Sequence, residues 1–314
     1  MLTWVALPVT VQVPATSANL GPGFDSLGLA LSLYDRVEAR VAPTGVEVRV
    51  TGVGAGQVGS GEKHLVVRAM RAGFAAIGTQ PPGLALDCRN EVPQGFGLGS
   101  SAAAIVAGLL AARELAGAAG AAVLTPDALL QLATELEGHP DNVAACLSGG
   151  LTISWTTAAG VRVARLTPLP GITPVLCVPA VPLATVAARQ VLPADVPHAV
   201  AAANSARAAL LIAALTARPD LLLDGTEDYL HQQYRAAAMP GTAALIARLR
   251  AVGIAAVVSG AGPSVLALTV DGAQQAAADV ARIAGEDDRT WQVLPLSVDS
   301  LGARVVPGDG APAS

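Results

Sequence analysis

The sequence has little cysteine, and the few cysteines are not spaced like those of a disulfide-bonded protein. Cys88, Cys146 and Cys177 are odd in number, far apart and surrounded by apolar residues. This distribution favours buried thiols in a reducing cytoplasm over disulfide bonds or a metal site. We therefore expect all three cysteines to be packing residues.

Basic residues are also scarce, because the chain has 19 lysines and arginines against 24 acidic residues, for a formal net charge of −5. A protein that binds a polyanionic backbone presents a cationic field to it, and this composition supplies none. We therefore expect no nucleic-acid partner.

The sequence lacks long apolar runs. The stretch 102–112 has only eleven residues, and the stretch 254–270 is interrupted by glycine, serine and proline. A membrane span requires about 20 apolar residues. The opening MLTWVALPVT has neither the basic segment nor the cleavage site of a secretory signal. We expect a soluble cytoplasmic protein that does not associate with membranes.

The chain does have enough apolar sequence for a large core. Its 314 residues are 52% apolar and 14% charged, which excludes bulk disorder and favours two domains over one. Strand-like and helix-like segments alternate, which predicts an α+β fold, and a proline-rich stretch at 167–173 indicates a linker. We predict an N-terminal domain over 1–168, a C-terminal domain over 169–306 and a disordered tail over 307–314.

The apolar periodicity predicts the individual elements. Strands are predicted at 9–13, 27–41, 83–86, 149–155, 161–166, 174–178 and 291–298, with a strand–turn–strand unit at 255–269. Helices are predicted at 62–77, 101–116, 125–138, 185–192, 196–217, 243–252 and 274–284. Thr125 is the predicted cap of the third helix, with Pro126 at its first position.

One polar segment, VPATSANLGPGFDSLGLAL at 13–31, stands out from its apolar surroundings. Thr16, Ser17, Asn19 and Asp25 fall within ten residues, although the whole chain has only four asparagines. An amide beside a carboxylate can orient a small zwitterion. A Gly/Pro loop between two strands explains the local sequence equally well.

A glycine-rich segment, VPQGFGLGSSAAAIVAGLLAA at 92–112, leads into a predicted helix. Gly95, Gly97 and Gly99 allow the backbone to turn tightly and expose its N–H groups, and the positive end of the helix faces this loop. That geometry holds an anion such as phosphate. A Walker loop requires lysine where Ser100 stands, so the segment is not a Walker site. A helix entry without a ligand is the alternative.

Carboxylates and a second glycine turn follow. Glu137 and Asp141 lie close to one turn in TELEGHPDNVAACLSGG, and such oxygens can hold Mg2+ together with substrate phosphate. A solvated helix end with His139 as a surface imidazole is the alternative.

The segment 257–268 presents bare backbone at SGAGPS, although a plain hairpin has the same pattern. GAGQVG at 54–59 matches a dinucleotide fingerprint but has no acidic residue about twenty positions downstream, which favours a surface loop.

Taken together and in this order, PATSANLGPGFD, PQGFGLGSSAA, EGHPDNVA and SGAGPS resemble the homoserine kinases of the GHMP small-molecule kinase superfamily. The resemblance extends from residue 11 to about residue 268. It implies a two-domain α+β GHMP kinase fold with an N-terminal nucleotide-binding domain and a C-terminal ferredoxin-like domain. It also implies ATP-dependent phosphorylation of the L-homoserine hydroxyl to O-phospho-L-homoserine in threonine biosynthesis. A GHMP-type kinase of another small hydroxyl substrate is the alternative, and a ligand sensor without turnover is disfavoured because the reactive motifs are complete.

The same resemblance implies a role for each motif residue. ATP phosphates would lie on a loop made of Pro93, Gly95, Gly97, Leu98, Gly99, Ser100 and Ser101. Ser100 and Glu137 would hold Mg2+. Homoserine would contact Asn19, Asp25, Asp141, Asn142, Arg189, Arg235 and Gly260.

Within this set, Asp25 would meet the substrate ammonium and Asn142 its hydroxyl. Arg189 and Arg235 would clasp the carboxylate, for which a guanidinium fork is suited. The expected catalytic residues are Asn142 and Arg189, with Thr185 as a weaker candidate near the metal or phosphate.

The sequence also departs from relatives in the superfamily. Thr16 and Asn142 stand where several relatives have a lysine and an aspartate that assist the substrate hydroxyl. Because an amide cannot act as a general base, we expect direct in-line attack on the γ-phosphoryl group. EKHLVVRA at 62–69 replaces a segment like ENLVYRA near the adenine, which leaves the purine contacts unassigned. A homodimer is implied by the resemblance alone.

Overall fold

The computed structural model describes residues 4–183, 189–270, 272–286 and 289–308. Its strands are β1 (Val9–Ala18), β2 (Leu27–Ala42), β3 (Gly45–Gly52), β4 (Gly83–Asn90), β5 (Leu151–Thr157), β6 (Gly160–Leu166), β7 (Thr173–Pro179), β8 (Ala255–Val258), β9 (Val265–Thr269), β10 (Trp291–Pro295) and β11 (Arg304–Val306). Its α-helices are α1 (Leu65–Ile77), α2 (Ser100–Leu115), α3 (Gly117–Val123), α4 (Pro126–Glu137), α5 (Asp141–Ser148), α6 (His198–Thr216), α7 (Leu222–Gly225), α8 (Gln232–Arg235), α9 (Pro240–Ala251) and α10 (Ala273–Ala284).

The first sheet carries the helix that follows the glycine loop. Within the described residues it has seven strands, in the order β11-β1-β2-β4-β3, and β5 and β6 continue from β2. Helices α1, α2, α4 and α5 bury their apolar sides in one core with this sheet. At the β3 edge, Val46, Val48 and Val50 alternate with more exposed neighbours, as expected for a strand with one buried face.

The second sheet has the order β10-β7-β9-β8, and every pair in it is antiparallel. With the helices between β7 and β8 and helix α10 between β9 and β10, the chain order is the β-α-β-β-α-β arrangement of a ferredoxin-like unit. The predicted α+β fold with a ferredoxin-like second half is therefore confirmed.

The two sheets share a hydrophobic core. Leu266 and Leu268 of β9 belong to the same buried cluster as Leu29 and Leu31 of β2. The opposite face of the second sheet packs on α9 and α10 through residues such as Leu245. Because the shared core lies between the halves, the loops at its rim come from both of them.

The position of the domain boundary stays a prediction. Strand β11 pairs with β1, and Val298 forms an isolated bridge with Leu31. The last part of the predicted C-terminal segment 169–306 therefore contributes to the first sheet. Of the predicted tail 307–314, residues 309–314 lie outside the described residues.

Most predicted elements are present, with informative differences at their ends. Thr125 caps α4, because its Oγ1 accepts the Ala128 N–H at 3.3 Å, and the helix ends at Gly138 with φ +94°. Strand β1 continues past Val13 through Pro14, where the register with β2 shifts. Proline has no N–H to donate, so the ladder is irregular there but the strand resumes. The segment expected to be a loop after Val13 is therefore strand as far as Ala18.

Two composition-based predictions have different outcomes. All three cysteines are buried with free thiols, as expected. The helix predicted at 196–217 is present as α6, but its 19 residues are apolar enough to cross a membrane by length and composition alone, which the search for long apolar runs did not detect. Helices of soluble proteins pass the same test, so the absence of a membrane span stays a prediction.

Helices α1 and α2 lie in close contact because of a glycine. A Cβ added to Gly108 of α2 would lie 2.5 Å from the carbonyl oxygen of Val66 and 2.7 Å from the Cβ of Ala69. A Cβ on Gly73 of α1 would meet only side-chain atoms, with the Ala112 Cβ nearest at 3.0 Å. The absence of a side chain at Gly108 therefore sets how closely α2 approaches α1.

We expect Gly108→Ala to lower the free energy of unfolding by about 1–3 kcal/mol, because the clash exceeds the gain of about 1 kcal/mol in helix propensity. Gly73→Ala is the matched control and should cost less, since side-chain atoms yield more easily than backbone. Denaturant unfolding of both variants measures this. A Gly108→Ala protein as stable as the parent would contradict the prediction.

Candidate active site

A cleft of about 900 Å³ lies at the rim between the two halves. It brings together most of the residues singled out in the sequence: Asn19, Asp25, Gly95, Gly97, Leu98, Gly99, Ser100, Ser101, Glu137, Asp141, Asn142, Arg189, Arg235 and Gly260. Pro93 precedes the glycine turns and does not line the cleft. Thr185 falls at a position outside the described residues.

The glycine loop has the left-handed backbone that its sequence predicts. Gly95, Gly97 and Gly99 have φ values of +80°, +75° and +66°, and α2 begins directly afterwards at Ser100. The first N–H groups of a helix have no partner within it and carry its positive partial charge. The loop and the start of α2 therefore form an anion-binding surface.

The second half of the chain supports this loop. Ser259 Oγ donates to the carbonyl oxygen of Gly97 at 2.7 Å and lies 2.9 Å from the hydroxyl of Ser17 on β1. The backbone N–H of Thr16 donates to the carbonyl oxygen of Leu98 at 3.0 Å. Ser17 and Ser259 were in quoted motifs but received no role, because the sequence does not show that they meet.

A neutral pair lies beside the start of α2. Thr16 Oγ1 donates to Asn142 Oδ1 at 2.8 Å, and both side chains are buried. A Cβ on Gly99 would lie only 2.0 Å from Thr16 Oγ1, so this position has room for glycine alone. Asn142 therefore faces the anion-binding surface with its carbonyl oxygen already bonded.

Glu137 lies at the C-terminal end of α4, facing the start of α2. Its carboxylate accepts a hydrogen bond of 2.5 Å from Ser101, and burial raises the pKa of Glu137 while this bond opposes the rise. Ser100, the serine expected to share the metal with Glu137, lines the cleft as the first residue of the helix. The described hydrogen bond to Glu137 comes from its neighbour Ser101.

The carboxylate and hydroxyl oxygens at this point are hard ligands of the kind that Mg2+ prefers. Among the residues that the structure describes, no three His, Cys, Asp or Glu side chains form a cluster that could hold a metal ion. This donor set fits a Mg2+ ion that receives its remaining ligands from water and phosphate oxygens.

His139 is part of the cleft. Its Nδ1 lies 2.6 Å from Asp141 Oδ1, and this carboxylate also accepts the backbone N–H of Asn142 at 2.7 Å. The hydrogen bond with Asp141 raises the pKa of His139. The interpretation of His139 as an ordinary surface imidazole is therefore wrong.

Two arginines and one aspartate form the other end of the cleft. Arg189 Nη2 lies 2.5 Å from Asp25 Oδ1. Burial raises the pKa of Asp25, although Arg189 opposes this, and burial and Arg189 lower the pKa of Arg235. The guanidinium carbons of Arg189 and Arg235 lie 5.9 Å and 5.6 Å from the centre of the Phe24 ring. The two guanidinium groups offer paired donors to an anionic ligand group, and the Asp25 carboxylate offers an acceptor to a cationic one.

Asn19 holds the loop that carries Asp25. Its side-chain oxygen accepts the Asp25 N–H at 2.9 Å, and its Nδ2 donates to the carbonyl oxygen of Gly260 at 2.9 Å. Both residues have left-handed backbone, with φ +67° at Asn19 and +52° at Asp25. The described bonds of Asn19 are therefore to the protein, and its contact with a substrate stays a prediction.

The cleft also extends into an apolar region that the sequence analysis left unassigned. Val13, Val37, Val66, Ala103 and Ala107 line it, beside Lys63 and His64. Apolar walls of this kind suit a flat heterocycle next to a phosphate site.

Asp35 is buried at this apolar end. Its Oδ1 accepts the backbone N–H groups of Glu91 and Val92 at 2.7 and 2.9 Å, just before the glycine loop. Burial raises the pKa of Asp35 to about 6, although these two hydrogen bonds oppose the rise. Asp35 therefore links β2 to the start of the loop at an electrostatic cost near neutral pH.

This cost predicts a pH effect on stability. Because the folded-state pKa of about 6 exceeds the ordinary value of 3.8, the native protein binds more protons in between and loses stability as pH rises. Asp35→Asn keeps an oxygen for both N–H groups but does not ionise. Between about pH 4.5 and about pH 8, the parent protein should lose about 2 kcal/mol of unfolding free energy relative to Asp35→Asn.

Thermal or denaturant unfolding across this pH range measures the difference. Glu47→Gln, on the exposed edge strand β3, is the control for the loss of one surface charge. A difference between Asp35→Asn and the parent that stays constant with pH would contradict the prediction.

Comparisons with known proteins agree with this geometry. Residues 64–150 match the GHMP kinases N terminal domain, and residues 203–287 match the GHMP kinases C terminal domain. The chain is 54% identical to the homoserine kinase of Streptomyces avermitilis, over 96% of this chain and 97% of that one. It is 52% identical to the homoserine kinase of Clavibacter michiganensis, over 98% of this chain and 97% of that one.

Among solved structures, the homoserine kinase of Cytophaga hutchinsonii superimposes with a TM-score of 0.84 at 27% identity, covering 98% of this chain and all of that one. The two GHMP domain matches and the near-complete coverage of these relatives show that the chain belongs to the homoserine kinase family of the GHMP kinases.

Proposed function

We propose that this protein transfers the γ-phosphoryl group of ATP to the hydroxyl of L-homoserine and so produces O-phospho-L-homoserine for threonine biosynthesis. The observation that carries the proposal is the arrangement of charge in one cleft. An anion-binding loop and helix start face a pocket in which Asp25, Arg189 and Arg235 lie together. Identity of 54% to a homoserine kinase over nearly the full length supports the same activity.

The amino-acid end of the pocket suits a zwitterion. Asp25 offers a carboxylate to an ammonium group, and Arg189 and Arg235 offer guanidinium groups to a carboxylate. Each charge-assisted hydrogen bond of this kind contributes roughly 1.5–3 kcal/mol. Because Asp25 and Arg189 are already paired at 2.5 Å, we infer that they shift partners or share them when the substrate binds.

The phosphate end suits the triphosphate of ATP. Backbone N–H groups of the glycine loop and the start of α2 would bind its oxygens, and the apolar region near Val66 and Ala107 would hold the base. We propose that Glu137 and a serine of the motif hold Mg2+ there. When bound, the ion neutralises charge on the phosphates.

The chain's own residues explain how the reaction proceeds without a strong base at Asn142. The homoserine oxygen forms a bond to the γ-phosphorus as the bond from that phosphorus to the bridging oxygen of ADP breaks. The hydroxyl proton leaves to phosphate oxygen or water. Asn142 accepts from Thr16 at 2.8 Å and, as an amide, orients the hydroxyl rather than deprotonating it. A loose transition state makes alignment and charge stabilisation sufficient.

The alternative is a GHMP-type kinase of another small hydroxyl substrate. A neutral sugar has no carboxylate to accept from the guanidinium groups of Arg189 and Arg235. A hydroxy acid without an ammonium group would meet the Asp25 carboxylate unfavourably. The charge arrangement therefore favours an amino acid.

We propose that the protein works in the cytoplasm. Buried free thiols at all three cysteines suit a reducing cytoplasm. We also propose a homodimer that binds neither nucleic acid nor membranes, from the family resemblance and the net charge of −5.

A substrate panel tests the activity. With ATP and Mg2+, we expect kcat/KM for L-homoserine to exceed that for mevalonate, galactose and shikimate by at least about 100-fold, because only homoserine satisfies both charges. Detection of the phosphorylated product for each substrate measures this. A preference for any competitor would overturn the substrate while leaving the kinase fold intact.

Arg235→Ala should raise the KM for homoserine by about 10- to 100-fold and change the KM for ATP by less than about twofold, because the lost contact is to the amino acid. Arg235→Lys is the control that keeps the positive charge without the planar guanidinium fork. Its KM for homoserine should lie between the values of the parent protein and Arg235→Ala. Steady-state kinetics with each substrate varied in turn measures the split. Equal increases in both KM values would remove Arg235 from the substrate pocket.

A further inference from the structure

His231 contacts the arginine of the proposed substrate pocket, although it lies outside the residues assigned above. Its side chain is fully buried, with Nδ1 3.0 Å from Arg235 Nη1 and Nε2 2.8 Å from the carbonyl oxygen of Gly21. A guanidinium can only donate and a carbonyl oxygen can only accept. Nδ1 therefore accepts from Arg235, and Nε2 carries the proton that it donates to Gly21.

The structure assigns to His231 the role of a positioning residue that fixes the guanidinium of Arg235 for the substrate carboxylate. This inference rests on the proposed function, since it concerns the same amino-acid pocket. It adds a residue that touches neither substrate in the proposed arrangement and acts through Arg235.

The surroundings of His231 hold the ring in one orientation. The ring stacks on Phe24 with centroids 5.2 Å apart and planes 30° apart. Asp228 accepts the backbone N–H groups of Leu230, His231 and Gln232, which fixes the start of α8. Since neither ring nor backbone is free to turn, the Nδ1 lone pair points at Arg235.

His231 also connects the two charged ends of the amino-acid pocket. Gly21 belongs to the loop that carries Asp25, whereas Arg235 also donates to the carbonyl oxygen of Gly260 at 3.2 Å. The ammonium and carboxylate of an α-amino acid are attached to the same carbon, so their partners must keep a fixed separation. A bridge from the Asp25 loop to Arg235 supplies that separation.

The neutral state of the ring is compatible with this role. Burial lowers the pKa of His231, with Arg235 acting in the same direction and Asp228 opposing both. A neutral imidazole keeps the Nδ1 acceptor that Arg235 requires. A protonated ring would present a donor and a second positive charge to the guanidinium.

Two substitutions separate the two bonds of His231. Asn places a polar atom near the Nδ1 position, so His231→Asn keeps an acceptor for Arg235 and loses the bond to Gly21. Gln reaches the Nε2 position, so His231→Gln keeps a donor for Gly21 and loses the bond to Arg235. We expect His231→Gln to raise the KM for homoserine about tenfold and His231→Asn to stay within about threefold.

The KM for ATP should stay within about twofold in both variants, and melting temperatures of the two proteins identify any loss of folding. A double-mutant cycle with Arg235→Ala completes the test. If His231 acts through Arg235, His231→Gln should have no further effect on homoserine KM once Arg235 is alanine.

The possible failures are distinguishable. Normal homoserine turnover with equal KM values for His231→Gln and His231→Asn would overturn this inference and leave the proposed function standing. Additive effects of His231→Gln and Arg235→Ala would do the same. Absence of homoserine turnover in the parent protein would overturn the proposed function, and this inference with it.

Discussion

The close contact between the glycine loop and the 259–262 turn determines where the helix that follows the loop can point. A Cβ at Gly97 would lie 2.1 Å from the carbonyl oxygen of Ser259, so no other residue fits without displacement. The loop belongs to the first half of the chain and the turn to the second. Because the hydroxyl of Ser259 bonds to the loop and contacts Ser17, the two halves are joined at the point where phosphate would bind.

The contact between the glycine loop and the 259–262 turn also affects the charged groups of the cleft. The turn that supports the loop also provides Gly260, whose carbonyl oxygen accepts from both Asn19 and Arg235. One backbone oxygen therefore ties the loop that carries Asp25 to the arginine that opposes it. The phosphate site and the amino-acid site share this small set of contacts, so a change in one is expected to be felt in the other.

The sequence predicted the elements that depend on local signals. Helix α4 follows from its Thr125 cap and its terminal Gly138, and α2 from a long apolar run after a glycine loop. Strand β3 received no predicted bounds, although Val46 and Val48 alternate with exposed neighbours, because it lies between two turns and has only half-buried side chains. Strand β11 is three residues long, and nothing local distinguishes it from a loop.

The residues of the site also divide into those that the sequence indicated and those that it did not. Most of the residues that the family resemblance indicates line one cleft, and the roles of individual side chains in it stay predictions. Phe24 and Ser259 could not be assigned functions from sequence, since their partners are far away along the chain. His231 is four residues from Arg235, but its other bond is to Gly21, 210 residues away, so the sequence did not show that it joins the two. Asp35 is a similar case, because its burial depends on the amides of Glu91 and Val92. Long-range contacts, rather than weak motifs, mark the limit of sequence reasoning here.

The pairing of β11 with β1 has a consequence for how the chain is completed on the ribosome. Thr10, Val11 and Gln12 have their second neighbour only when residues 304–306 have emerged. Until then β1 is an edge strand with unpaired N–H and C=O groups. Strand β1 thus waits for a partner that lies far along the chain, so this edge of the nascent first sheet remains open to pairing with other chains until β11 is made.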